Sequence, residues 1–180
     1  MFRYRSVVLM AFLTIVSCKV VSDNSDSNSL TRDSYRISNG EVSGWSEQAA
    51  DGWIPFTKST MDQQVDGEAP FYVDGGVIEG AQQILTNSSS ENLTIWIMDF
   101  PSAEVAGTMY EKIKTDKITV PKLVSGFEES TALINNTSNE GCMVYAVFGQ
   151  FVIRLSFTNY NDKNKSFTDA AEFLKIYQKR

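Results

Sequence analysis

Cys142-Met143-Val144-Tyr145-Ala146-Val147-Phe148-Gly149-Gln150-Phe151-Val152-Ile153-Arg154-Leu155-Ser156-Phe157 reads as two strands joined by a two-residue turn. Glycine at the first central position suits a type II′ turn, whose twist matches that of the strands it joins. Pairing across Gly149-Gln150 sets Phe148 opposite Phe151, Ala146 opposite Ile153, Val144 opposite Leu155 and Cys142 opposite Phe157. That face is apolar throughout. The other carries Val147 with Val152, Tyr145 with Arg154 and Met143 with Ser156, a mixture that fits beneath a helix or at a rim. The hairpin is therefore a predicted core element, and Cys142 a buried structural thiol rather than a reactive one.

Working outward, the residues after the hairpin predict a helix over 167–177. Ser166 and Asp169 stand at its start and Lys175, Lys179 and Arg180 at its end, charges that complement the helix dipole. Its buried stripe is Phe167, Ala170, Ala171, Leu174 and Tyr177, widened by Phe173 and Ile176. Upstream, 77–85 and 93–100 read as two strands across a Ser/Asn-rich loop. In the second, Leu93, Ile95 and Ile97 alternate with Thr94, Trp96 and Met98, so both faces are largely apolar and the strand belongs in the middle of a sheet. Ala106, Met109, Tyr110 and Ile113 follow at helical spacing, with Ser102 as N-cap. Gly107 within that helix predicts close packing against the sheet. Ser59 or Thr60 is placed to cap a short helix with Asp62 and Gln63 completing a capping box; Met61, Val65 and Ala69 share one face, and Gly67 and Pro70 predict a kink before Tyr72. The element order predicts an α+β domain: a single, mostly antiparallel sheet with helices packed on one or both faces.

The N-terminus has a different composition. Arg3 and Arg5 precede an apolar run at 7–16, and small Ser17 comes before Cys18, the arrangement of an export signal. An apolar core of about ten residues is too short for a bilayer span, which needs about twenty. Leu13-Thr14-Ile15-Val16-Ser17-Cys18 resembles the lipobox of bacterial lipoproteins, in which the cysteine carries the lipid. That resemblance implies a signal peptide at 1–17 and a protein held at the cell envelope by a lipid anchor in the membrane. Lys19 rather than Asp after the cysteine implies the outer membrane if the source is Gram-negative. Residues 18–40, the lipidated cysteine and a Ser/Asn/Asp-rich stretch, read as a flexible tether, and 41–180 as one globular domain. Twenty such residues reach on the order of 25 Å.

Composition narrows the function. Without Arg3 and Arg5, 14 of the 16 basic residues remain against 22 acidic ones, a net charge near −8. Nucleic acid is thereby excluded as a partner, because its phosphates reward basic patches. The chain has no histidine, so Ser-His-Asp and Cys-His nucleophile arrangements and imidazole zinc sites do not arise. With Cys18 assigned to lipid, Cys142 has no intrachain partner. Nothing in the sequence calls for a cofactor or a metal.

Val65-Asp66-Gly67-Glu68-Ala69-Pro70-Phe71-Tyr72, with Gly44-Trp45 before it and Ile97-Met98-Asp99-Phe100 after it, resembles a family of exported bacterial proteins of unknown function. That family has an Ile/Val-Asp-Gly-Gly-Ala segment ending in an aromatic stretch; the resemblance covers about 41–178, departs from the second glycine at Glu68, has Pro70 interrupting the helix, and implies an exported α+β domain without assigning catalytic residues. Candidate ligand-binding residues are Trp45, Trp53, Asp66, Tyr72, Asp74 and Asp99. Trp45 and Trp53 lie in an irregular segment and are the surface candidates, whereas alternation assigns Trp96 to the core. Asp99 ends a strand just before a helix, where it is placed to cap that helix. The predicted function is a non-catalytic domain binding a protein partner or small ligand at the envelope. A carboxylate-dependent envelope hydrolase drawing on Asp66, Glu68, Asp74, Glu79 and Asp99, and a carrier of a lipid-like molecule, are the alternatives.

Overall fold

The computed structural model describes residues 30–180 apart from 49–51, 66, 119–120, 128–131 and 136–140, with backbone alone at 121 and 132–135. The chain order is a 3-10 turn (Arg32–Tyr35), β1 (Trp45–Glu47), β2 (Trp53–Thr57), a second 3-10 turn (Met61–Gln63), α1 (Ala69–Asp74), β3 (Glu79–Asn87) and β4 (Asn92–Asp99). Then come α2 (Ala103–Asp116), β5 (Pro121–Lys122), β6 (Ala132–Asn135), β7 (Met143–Phe148), β8 (Phe151–Thr158) and α3 (Lys163–Tyr177). Among the described residues the strands form one antiparallel sheet in the order β1-β3-β4-β8-β7-β6-β5, with β2 also pairing β3. The fold class is α+β, as expected.

The register of β7 against β8 is the one the sequence dictates, Phe148 to Phe151, Ala146 to Ile153 and Val144 to Leu155, with the Phe157 amide donating to the Cys142 carbonyl at 2.9 Å. Gly149 has φ +55° and Gln150 is not in the left-handed region, the pattern of a type II′ turn. Strand β4 lies between β3 and β8, and its two faces feed two separate cores. Leu93, Ile95 and Ile97 pack with Val144, Ile153, Leu155 and the α3 residues Phe173, Leu174 and Tyr177. Met98 packs on the opposite face with Val152, Tyr145 and the α2 stripe Ala106, Met109, Tyr110 and Ile113. Cys142 is buried in the α3-side core, where burial pushes its thiol up to about 12.

Several boundaries differ from the sequence reading. The domain takes in residues assigned to the tether: Tyr35 and Ile37 are buried, and Gln83 clips the segment by accepting from the Ile37 amide and donating to its carbonyl. Arg180 donates to the Ser34 and Arg36 carbonyls from the other end of the chain. Residues 53–57 form a regular edge strand, with exposed Pro55 blunting that edge against further pairing. Helix α3 starts at Lys163, capped by Asp162, four residues earlier than its apolar stripe indicates. Thr60 makes no cap; its Oγ1 accepts from the Thr57 amide instead. The kink at 67–70 is present, with Gly67 at φ +66° and Pro70 in the first turn of α1. Ser102 caps α2 by accepting from the Val105 amide. Gly107 has open space around it, so close packing does not explain it.

Candidate functional site

Period-two alternation places Gln82, Trp96, Arg154 and Tyr145 in one row across β3, β4, β8 and β7, on the face that α2 covers. The cover is incomplete. Helices α1 and α2 reach Met98 and Val152, which are both fully buried, while Trp96, Thr94 and Ser156 further along the strands stay partly exposed. A cleft of about 550 Å³ opens there, lined by Gln63, Gln64, Val65, Glu68, Gln82, Thr94, Trp96 and Arg154. Its walls are mostly polar.

Arg154 is the centre of the cleft. Its guanidinium lies 4.5 Å from the Trp96 ring centroid, and its Nη1 donates to Glu68 Oε2. Glu68 stands at the N-cap of α1 and also accepts from Lys117, the C-cap of α2, at 3.4 Å. One carboxylate thus joins the ends of two helices to the middle of the sheet. The Trp96 Nε1 donates to the Gln64 carbonyl at 3.1 Å, holding the 3-10 segment over the same spot. Lys112 and Lys117 lie 4.7 and 4.6 Å from the Phe71 ring centroid on the outer side of α1. Behind the cleft, Tyr72 and Tyr145 are buried, and burial raises both phenols above the ordinary tyrosine value, so they are neutral at physiological pH. The Tyr72 hydroxyl and the Arg154 Nε are buried without a hydrogen-bond partner among the described residues.

Of the residues proposed from sequence, Glu68 lines this cleft and Tyr72 is buried behind it. Trp45 is no surface residue: it is 6 % exposed and packs edge-on against Phe157 and Phe173. Trp53 is half-buried against the same α3-side core, with Arg36 5.4 Å from its ring centroid. The exchange of roles is completed by Trp96, which is at the rim rather than in the core. Asp74 is exposed at the end of α1. Asp66 and Cys18 lie outside the described residues. The residue missed was Arg154, and the available signal was a lone arginine in a largely apolar strand.

Asp99 does not cap α2. It sits opposite Glu79 across β3 and β4, and its Oδ1 accepts from Gln150 Nε2 in the hairpin turn at 2.8 Å. Glu79 in turn pairs with Arg32 at 3.0 Å. Burial raises the Asp99 pKa first and foremost; Gln150 and Arg32 oppose the rise, and the charge of Glu79 adds to it. A carboxyl raised in the folded state holds its proton more tightly there, so folding gains stability as pH falls through the folded value. Asp99→Asn is therefore expected to raise the melting midpoint at pH 7 and to lose that advantage at pH 3, below the ordinary aspartate value of about 3.9. Thermal melts at the two pH values check this, and an equal shift at both would show that charge is not the cause.

Among the described residues no helix is long and apolar enough to cross a membrane, and no group of three Cys, Asp or Glu side chains is arranged to hold a metal. No family model and no curated protein matches the chain. Among solved structures it is similar to the extracellular domain of PknH from Mycobacterium tuberculosis, at 11 % identity and a TM-score of 0.52, over 82 % of this chain and 95 % of that one. At that identity the likeness is one of fold.

Proposed function

We propose that this protein is a lipid-anchored component of a bacterial cell envelope, tethered through Cys18, whose domain is a non-catalytic binding module with the Arg154 cleft as its ligand site. The observation that carries the reading is the Arg154–Glu68 pair lying against Trp96 in an open, polar-walled cleft, where three elements meet. Such a cleft offers directional hydrogen bonds and an aromatic wall, the makings of recognition. Of the carboxylates the hydrolase alternative draws on, Glu79 and Asp99 are cross-strand neighbours, but each already has a partner in Arg32 or Gln150, and Glu68 is paired with Arg154. A lipid-like cargo is poorly served by walls this polar.

Two measurements test the proposal. The intact mass of the membrane-extracted protein is expected to show acylation at Cys18 and loss of residues 1–17; an unmodified cysteine overturns the anchor. A photo-crosslinking side chain placed at Thr94, at the mouth of the cleft, is expected to capture an envelope component in intact cells that the same probe at exposed Lys179 does not. Equal capture from both positions, or hydrolysis of an envelope glycan or ester that disappears in Asp99→Asn, removes the binding-module reading.

A further inference from the structure

Resting on that reading, we infer that the Arg154 cleft is a saccharide subsite, taking one or two rings of an uncharged glycan. The donor and acceptor inventory points to this class. Gln64 and Gln82 line the cleft with amides that each donate and accept, and Thr94 adds a hydroxyl that does both. A sugar hydroxyl also does both, so it can satisfy such walls in either sense. A phosphate or carboxylate only accepts, and here it would face the Glu68 carboxylate and the amide oxygens. Arg154 is the cation in the lining, and its charge is already offset by Glu68. A chain with a net charge of −6 further disfavours a polyanion.

Size and direction agree with this class. About 550 Å³ is within the range of small-ligand sites and accommodates a sugar ring with its neighbour. Beyond the cleft the same sheet face stays partly exposed and is mixed, with Thr94 between Ile84 and Ser156 and then Asn92 beside Thr86, a continuation in which polar groups and apolar patches alternate as a longer chain of rings would need. The groove also runs away from the incoming tether. The segment that follows the tether is pinned by Arg32 to Glu79 and Gly80 at the start of β3, whereas Thr86 is seven residues further along that strand, about 23 Å away.

Saturation-transfer NMR on the full-length protein tests the assignment, in a detergent without a sugar headgroup. Cellobiose, maltotriose and the trimer of N-acetylglucosamine are the probes, with inorganic phosphate as the anionic control. Transfer to ring protons of at least one sugar, undiminished by excess inorganic phosphate, is expected, with affinity falling at least tenfold in Gln82→Ala and in Thr94→Lys while the melting midpoint stays unchanged. Transfer to no sugar, or binding that survives both substitutions, overturns it. If the sugars fail while the Thr94 photoprobe still captures an envelope protein, the saccharide assignment falls and the binding module stands. Failure of both removes both.

Discussion

Arg154→Met is expected to lower folding stability by about 2 kcal/mol, and the loss is expected to depend on Glu68. The Arg154 side chain is 12 % exposed and Glu68 29 %, so the pair lies between a surface ion pair and a fully buried one. Breaking a fully buried pair costs about 3–5 kcal/mol, because it strands a charge, and partial access to water reduces that cost here. Lys117 reduces it further, since it stays within 3.4 Å of the stranded carboxylate. Methionine keeps a sulfur against the Trp96 face, which preserves part of the packing. Glu68→Gln, which leaves the guanidinium an amide oxygen to bond, is expected to cost about 1 kcal/mol. The double variant should then lose less than the two single losses combined, with a coupling of about 1 kcal/mol. Urea unfolding of the four proteins measures it, and strict additivity would show that Glu68 is held chiefly by Lys117. The same cycle bears on function: if the cleft binds as proposed, both single variants lose the ligand whatever their stability.

The parts of this molecule that were legible in the sequence are those whose signals are local. The β7–β8 register follows from period two and a Gly-Gln turn, and both are confined to sixteen consecutive residues. The α2 stripe and its Ser102 cap are equally local. The tryptophans were assigned wrongly because alternation tells which side chains share a sheet face, not how far a helix covers that face. Trp96 is at the rim because α1 and α2 stop short of it, whereas Trp45 is covered by Phe173 of α3, 128 residues away in the chain. The Arg154–Glu68 pair, 86 residues apart, was hidden for the same reason. Ser/Asn/Asp-rich composition likewise extended the tether too far, since it averaged over Tyr35 and Ile37. Two apolar side chains are enough to bring this segment into the domain when Gln83 satisfies its backbone.

Gly80→Ala is expected to be the most destabilising single-methyl addition in the sheet. Gly80 pairs with Phe56 on β2 and with Met98 on β4, at the point where the edge strand carries its ring over the sheet. A Cβ built there would overlap the Ile97 carbonyl oxygen and stand 2.5 Å from Phe56 Cζ. Neither neighbour can retreat cheaply. The carbonyl belongs to a central strand, and Phe56 is 2 % exposed in a core with Met61, Tyr72 and Met98. Overpacking of this kind costs about 1–3 kcal/mol when the core can relax, and a clash with backbone puts Gly80 at the upper end. A loss of about 3 kcal/mol in a domain of this size lowers the melting midpoint by roughly 10 °C. Relief has a defined source: Phe56→Leu removes the ring that the new methyl meets, and in the Gly80→Ala background it should restore part of the loss although it is destabilising by itself. Were the double variant no better than the sum of its parts, the Ile97 carbonyl would be the decisive contact, and β4 rather than the edge strand would be what requires glycine at this position.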